Sequence, residues 1–157
     1  MKISIASDHA GLLWKEKVKA ILERLGHTVI DHGVNATDSV DYPDYGSQVA
    51  KDVSTGVVDS GVTVCHTGNG MNMTVNRFPG VRGALVLNKE MAHLARAHNN
   101  ANVLTLSQRF TPESELEGIL AEWVSSTFEG GRHTRRVEKL QALENCATND
   151  PANSAKS

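Results

Sequence analysis

The sequence predicts an α/β fold, with a five-stranded, mostly parallel sheet between two layers of helices (three-layer α/β/α). Two observations carry this. Short apolar, β-branched runs recur at residues 3–6, 28–30, 62–64, 84–87 and 103–106, and segments of helical periodicity separate them. The first strand, helix and strand fit within the roughly 30 residues of a β-α-β unit, which makes those two strands parallel.

Ile3, Ile5 and Ala6 form the first strand, which ends at the polar run Ser7-Asp8-His9-Ala10-Gly11. Trp14, Val18, Ile21, Leu22 and Leu25 recur on one helical face, and Gly26 closes that helix. Thr28 to Ile30 is the second strand, and residues 33–39 read as loop. Pro43, within Asp41-Tyr42-Pro43-Asp44-Tyr45, suits a helix start, and Val49 and Val53 carry that helix to about Ser54. Gly61 leads into the strand Val62 to Val64, followed by Cys65-His66-Thr67, the turn Gly68-Asn69-Gly70 and a short helix. Pro79-Gly80 turns the chain towards the strand Ala84 to Leu87. Residues 89–97 read as a helix with Met91, Leu94 and Ala95 inward, ending at His98-Asn99-Asn100. After the last strand, Val103 to Leu106, Thr111-Pro112-Glu113 supplies an N-cap, a first-position proline and an acid in the first turn. Leu116, Ile119, Leu120, Trp123 and Val124 give that helix its core face. Gly130-Gly131 breaks it, and Arg132-His133-Thr134-Arg135-Arg136 opens a final helix carrying Val137, Leu140 and Leu143. From Asn145 the residues turn small and polar, so residues 1–144 are expected to form one domain and 145–157 a flexible tail.

A chain of 157 residues suits a single domain. A net charge of −2 and an aromatic content of 4% argue against a nucleic-acid surface. The two cysteines, Cys65 and Cys146, make no disulfide framework and fit a reducing cytoplasm. The sequence starts in a strand pattern without a signal-peptide apolar region, and no apolar run is long enough for a membrane span.

In a parallel sheet the strand C-terminal ends share one rim, where α/β proteins hold their ligands. That rim collects Asp8-His9, Cys65-His66-Thr67, the region of Asn88 and the loop after Leu106, and a loop from His98-Asn99 could return to it. A glycine turn between strand and helix presents N–H groups to an anion, although Cys65 could also be a small core filler and the glycines a plain turn. Asp8-His9 could be a cap beside a surface histidine, and His98-Asn99 a C-terminal cap. Arg132, Arg135 and Arg136 oppose their own helix dipole, which favours an anion near them. Cys65 and His66, as strand neighbours, make a poor dyad. Seven histidines invite a metal, but no Cys-x-x-Cys, His-x-x-x-His or His-Glu-x-x-His spacing occurs, so none is expected. Gly68-x-Gly70 lacks the third glycine of a dinucleotide fingerprint, so no cofactor is expected either.

Six motifs occur in order: Asp8-His9-Ala10-Gly11; Asp41-Tyr42-Pro43-Asp44-Tyr45; Cys65-x-Thr67-Gly68-x-Gly70; Asn76-Arg77-x-Pro79-Gly80-x-Arg82; Arg96-x-His98-Asn99-x-x-Asn102-Val103-Leu104; and Glu129-Gly130-Gly131-Arg132-His133. Together they resemble the ribose-5-phosphate isomerase B family, which also contains galactose-6-phosphate and allose-6-phosphate isomerases, over residues 2–144. The resemblance implies a Rossmann-like fold and a cytoplasmic homodimer or tetramer with sites shared between subunits. It also implies metal-independent aldose–ketose isomerisation through an enediolate, with ribose 5-phosphate and ribulose 5-phosphate as the default pair. By the same resemblance Cys65 is the base, and backbone N–H groups nearby would lower its pKa. Some members use a glutamate at the position of Met71, which here cannot serve. His98 with Thr67 opens the sugar ring. The N–H groups of Gly68, Asn69 and Gly70, with Asn99, hold the enediolate oxygens. Asp8 and Tyr42 contact sugar hydroxyls, and His9, Arg109, Arg132 and Arg136 clamp the phosphate.

The sequence departs from the family at His66, where glycine is usual, at Asn72 and Thr74, at Arg77 for lysine, and at Ser107-Gln108-Arg109 for Gly-x-Arg. These changes bear on the pocket wall. They keep open another four- to six-carbon substrate, such as allose 6-phosphate, galactose 6-phosphate or an erythrulose phosphate. A non-catalytic phosphosugar-binding paralogue would need only the arginines, and a redox or nucleotide-binding protein would need more glycines.

Overall fold

A computed structural model describes residues 1–35 and 38–148, with side chains up to residue 144. Its elements run β1 (Lys2–Ser7), α1 (Leu12–Arg24), β2 (Thr28–Asp31), α2 (Tyr42–Ser54), β3 (Ser60–Cys65), α3 (Asn69–Val75), β4 (Gly83–Val86), α4 (Lys89–Asn99), β5 (Val103–Ser107), a 3-10 turn (Glu113–Glu115), α5 (Leu116–Ser125) and α6 (Arg132–Thr148). The sheet order is β2-β1-β3-β5-β4, and every pairing is parallel.

Strand alternation sorts the core into two layers. Ile3, Ile5, Val62, Val64, Leu104 and Leu106 face α1, α4 and α5, meeting Trp14, Val18, Leu22, Ala92, Ile119 and Trp123. Ala6 and Val103 face the opposite way, towards Val49 and Ala50 of α2 and Val75 of α3. This second layer is unusually polar for a sheet interior. Thr63 and Thr105 satisfy each other across β3 and β5 at 2.8 Å. Ser4 donates to Asp52 of α2, which also holds His32 Nε2 at 2.7 Å.

Lys15 lies on α1 yet is fully buried. Its ammonium lies 2.7 Å from both carboxylate oxygens of Asp31 at the end of β2. Burial disfavours the charged form of Asp31. The hydrogen bonds from Lys15 and the Gly33 N–H, with the charges of Lys15 and Lys19, outweigh it, so the carboxyl titrates below its ordinary value.

Several expectations need correction. Met91 and Leu94 are exposed at 38% and 37%, because α4 packs through Ala92 and Ala95, whose small side chains let it approach α5 closely. Leu25 is the C-cap of α1 and is also exposed. Thr111 makes no cap bond; the segment first winds a 3-10 turn, and α5 starts at Leu116. β4 stops at Val86. Helix α6 runs to Thr148, past the expected domain end at residue 144, and the remainder of the tail lies outside the described residues, as do residues 36 and 37 of the loop 33–39. Leu140 and Leu143 are exposed on α6. Among the described residues no helix is long and apolar enough to cross a membrane.

Lys15→Met should cost about 3 kcal/mol of unfolding free energy at neutral pH, because it removes the closest cation from the part-buried Asp31 carboxylate and leaves it only the Gly33 N–H and the more distant Lys19. In the unsubstituted chain the Asp31 pKa is lowered on folding, so its stabilisation is present above the ordinary carboxylate range and disappears as pH falls through the folded pKa. Urea titrations at several pH values should show that acid-side loss flattened in the variant.

Candidate active site

The chain leaves β1 through α1 on one face of the sheet and leaves β3 through α3 on the other, so the C-terminal ends of these adjacent strands diverge. Asp8 follows β1 and Cys65 ends β3. The Asp8 N–H reaches the Val64 carbonyl at 3.2 Å, and Asp8 Oδ1 accepts from the Gly11 N–H at 2.8 Å. Both side chains are buried. The Asp8 carboxylate and the N–H groups of Gly68 and Met71 are the polar groups that act on the Cys65 thiol.

The turn that aims those donors needs its glycines. Gly68 caps α3 at φ +85°, and a Cβ there would lie 2.4 Å from Leu85 Cδ1. A Cβ on Gly70 would lie 2.8 Å from the Tyr42 ring, so Gly70 is what lets Tyr42 stand against the turn. Thr67 Oγ1 accepts a long 3.4 Å bond from the Asn69 N–H. Met71, in the position where some relatives carry an acid, is fully buried.

Burial pushes the Cys65 pKa up, and the Asp8 carboxylate raises it further by holding the thiol proton and by its charge; the N–H donors of Gly68 and Met71 do not offset this. The expected lowering by backbone donors is therefore reversed within one chain. The Gly68 N–H, expected to serve an enediolate oxygen, also acts on this sulfur.

The neighbouring strand end is tied to this one. The N–H groups of Gln108 and Arg109 donate to the carbonyls of Cys65 and His66 at 3.0 and 2.9 Å. Buried Ser107 donates to the His66 carbonyl at 3.0 Å and accepts from the Phe110 N–H at 3.0 Å. This carries exposed Arg109 to the same rim as Cys65. His66 is exposed, with Nδ1 3.4 Å from Gln108 Oε1. His66 makes no dyad with Cys65. His9 lies on this rim too, its Nδ1 accepting from the Val40 N–H at 3.4 Å. Thr74 donates to the Gly70 carbonyl at 2.9 Å, and Asn72 faces Asn76 rather than the thiol.

His98 and Asn99 do not join this group. They end α4, which runs antiparallel to the strands, and Asn100 to Asn102 lead directly into the start of β5. The Gly61 N–H, near the start of β3, bonds the Asn102 carbonyl at 2.9 Å. His98 therefore lies near the strands' N-terminal ends, with the six residues of β3, about 17 Å of strand, separating that rim from Cys65. The possible loop back to the Cys65 rim does not occur; Arg132 instead opens α6 beside His98. The His133 ring stacks on the His98 ring with centroids 4.2 Å apart and planes 8° from parallel. Glu129 Oε2 lies 3.6 Å from His98 Nε2 and 3.9 Å from His133 Nε2. These three residues have ligand atoms within 4.8 Å of one another, but the Arg132 guanidinium donates to His133 Nε2 at 3.5 Å, occupying the lone pair a metal would need and adding positive charge. The structure thus divides the expected site residues. Asp8, His9, Tyr42, Cys65, Thr67, Gly68, Asn69, Gly70 and Arg109 share one rim, while His98, Asn99 and Arg132 gather at the other and Arg136 follows one turn into α6. Ser107, Glu129 and His133 make contacts that no local pattern in the sequence states, apart from the four-residue spacing of Glu129 and His133.

A family model described as Ribose/Galactose Isomerase matches residues 3–140. Ribose-5-phosphate isomerase B of Escherichia coli is 38% identical over 143 residues, covering 91% of this chain and 96% of that one. The structure of ribose-5-phosphate isomerase B from Clostridium thermocellum superposes with a TM-score of 0.91 at 40% identity, covering 94% of this chain and 99% of that one. The Mycoplasma genitalium ribose-5-phosphate isomerase B with bound ribulose 5-phosphate gives 0.88 at 42% identity, covering 92% and 96%.

The protonation of Cys65 can be read by its reaction with iodoacetamide in a Cys146→Ser background, since only the thiolate reacts. The rate should rise at a higher pH than for an ordinary thiol. Asp8→Asn should move that rise to lower pH. An unmoved profile would show that Asp8 does not hold the thiol proton.

Proposed function

The chain belongs to the ribose/galactose isomerase family, and we propose that it is a sugar-phosphate isomerase whose substrate pair is ribose 5-phosphate and ribulose 5-phosphate. The observation that carries this reading is the Cys65 thiol at the divergence of β1 and β3, facing N–H donors from the Gly68–Gly70 turn. In the first step the Cys65 thiolate takes the proton from C2 of the open-chain aldose, and the C1 carbonyl oxygen becomes an enediolate oxygen. The N–H groups of Asn69 and Gly70, with Asn99, stabilise that charge. The C2 hydroxyl proton passes to the C1 oxygen, shifting the enediolate charge to the C2 oxygen, and the thiol returns the carbon proton to C1, giving the ketose with no metal or other cofactor. His98 and Thr67 open the ring beforehand. Asp8 and Tyr42 hold sugar hydroxyls, and His9, Arg109, Arg132 and Arg136 hold the phosphate. A free thiol at the centre suits a reducing, cytoplasmic setting.

Two rims of one sheet cannot act on one small sugar, so this reading needs a second copy of the chain. In a homodimer one subunit supplies Cys65 and its rim, and its partner supplies His98, Asn99 and the arginines of α6. A tetramer would repeat the same pairing. The opposite placement of Cys65 and His98 supports this sharing. A second substrate reading, a different four- to six-carbon sugar phosphate, is favoured by the His66–Gln108 contact between the loops after β3 and β5.

Incubating the protein in deuterated water with a panel of sugar phosphates should give deuterium at C1 or C2, fastest with ribose 5-phosphate. Cys65→Ala should abolish that exchange while leaving sugar-phosphate affinity within a few fold. Exchange that survives the substitution would remove Cys65 as the base, and a different best substrate would select the second reading.

Sharing is tested by complementation. Cys65→Ala and Arg136→Ala should each be nearly inactive. In a mixed dimer one site carries both defects and the other carries neither. Unfolding and refolding equal amounts together should therefore restore about a quarter of the unsubstituted activity, as two-fold sharing requires. No recovery, with exchange of mass-tagged subunits confirmed, would place both residues in the same chain's site.

A further inference from the structure

The His98–His133 stack is the one feature of the second rim without a place in the reaction as described. His133 is buried although it belongs to an otherwise solvent-facing helix. It opens the first turn of α6, and its N–H bonds back to the Gly130 carbonyl at 3.0 Å. The Glu129 N–H in turn bonds the Ala97 carbonyl at 3.0 Å, tying the segment before α6 to the last turn of α4. The imidazole is thus fixed at both ends of its local chain and lies flat on His98.

Its protonation state follows from its neighbours. The Arg132 guanidinium donates to His133 Nε2, which must present a lone pair there. Burial, together with the charges of His98, Arg132 and Arg136, holds the His133 pKa below its ordinary value, against the opposing pull of Glu129. A neutral His133 ring stacks on the His98 ring without adding charge of its own to the pair. Glu129 then supplies the acceptor within reach of His98 Nε2.

We propose that His133 is a positioning residue that holds His98 flat and aimed as the ring-opening acid, so that His98, Glu129, His133 and Arg132 form one block delivered to the partner's thiol. This rests on the isomerase reading above. In ring opening the anomeric hydroxyl gives its proton to solvent water by way of the Thr67 hydroxyl, and the bond from C1 to the ring oxygen breaks with its electron pair going to that oxygen. The ring oxygen takes a proton from His98. An acid that must reach one oxygen of a bound sugar depends on ring orientation. The later transfer between C1 and C2 uses Cys65 and does not.

The role predicts a split between substrates. His133→Ala should slow turnover of ribose 5-phosphate by about a hundredfold. It should slow turnover of erythrose 4-phosphate, an aldose that cannot close this ring, far less. His133→Phe keeps a stacking ring and should recover most of the loss. In nuclear magnetic resonance spectra the His98 ring protons, assigned with His98→Asn, should lie upfield in the unsubstituted chain and in His133→Phe, and lose that displacement in His133→Ala. Equal losses on both sugars would overturn the proposal, as would a phenylalanine variant no better than the alanine one. Should His133→Ala fail to fold, the phenylalanine variant and the unsubstituted spectra still decide, because undisplaced His98 protons would overturn the stack itself. A failed isomerase reading is recognised separately, since the unsubstituted protein would then exchange no deuterium into any sugar phosphate.

Discussion

A parallel sheet with helical crossovers separates its two rims. Every strand ends on one side, every returning helix ends on the other, and the strands between keep them apart. That constraint decides how this protein is organised. Cys65 is a strand-end residue and His98 is a helix-end residue, so no rearrangement of loops within one chain brings thiol and imidazole onto one sugar while the sheet stands. Their chemistry meets only if one copy's strand-end rim faces another copy's helix-end rim. The exposed Leu140 and Leu143 of α6 extend the apolar surface available beyond the helix-end rim.

The strand-end rim is held by buried polar contacts rather than by apolar packing alone. Lys15 holds Asp31, Asp31 accepts from the Gly33 N–H at 2.8 Å, and the Gly33 carbonyl accepts from the Ser7 N–H at 2.9 Å. The next residue is Asp8. An ion pair between buried Lys15 of α1 and Asp31 at the end of β2 is thereby connected, through one loop, to the Asp8 carboxylate beside the thiol. On the other side of Cys65, Ser107 bonds the His66 carbonyl and restrains the loop that bears Arg109. Such contacts are poor sources of net stability but they fix geometry, because leaving any partner unpaired in the interior is costly. The site's shape follows from networks that tolerate one arrangement.

Strand and helix positions were legible in the sequence because their signals are local. Alternation and β-branching marked the strands, and the strand C-terminal ends put Asp8, Cys65 and the loop after Leu106 on one rim. What was not legible depended on distance or phase. Of the stripe Met91, Leu94 and Ala95 only Ala95 is buried, with Ala92 beside it, because the closeness of α4 to α5 is a property of the pair. His98 was given a possible route back to the strand-end rim, since no local pattern states which rim a helix end occupies until the strand order is known. Thr111 has the right residues after it for a cap, yet a 3-10 turn intervenes. The stack of His133 on His98 joins residues 35 apart in the chain, which neither periodicity nor a short motif encodes.

The raised thiol of Cys65 belongs to the same organisation. Within one chain the sulfur faces a carboxylate and low-dielectric surroundings, and both favour the proton staying on it. The N–H groups of Gly68 and Met71 are already aimed at the sulfur but are outweighed. What the rim lacks is positive charge close by, since Arg109 is exposed and the other arginines of the proposed clamp belong to α6. A partner that brings Arg132 and Arg136 to this rim changes the balance in the direction the chemistry needs, because opposite charge nearby favours a thiolate. The same arginines sit unfavourably at the start of their own helix, where the dipole is positive. In the proposed dimer those arginines would face the partner's Asp8 and a bound phosphate, which would resolve that conflict on one side and promote the thiolate on the other. Assembly of the proposed dimer would then do more than complete a list of residues: it would supply the electrostatic term that a carbon-acid base at this position requires.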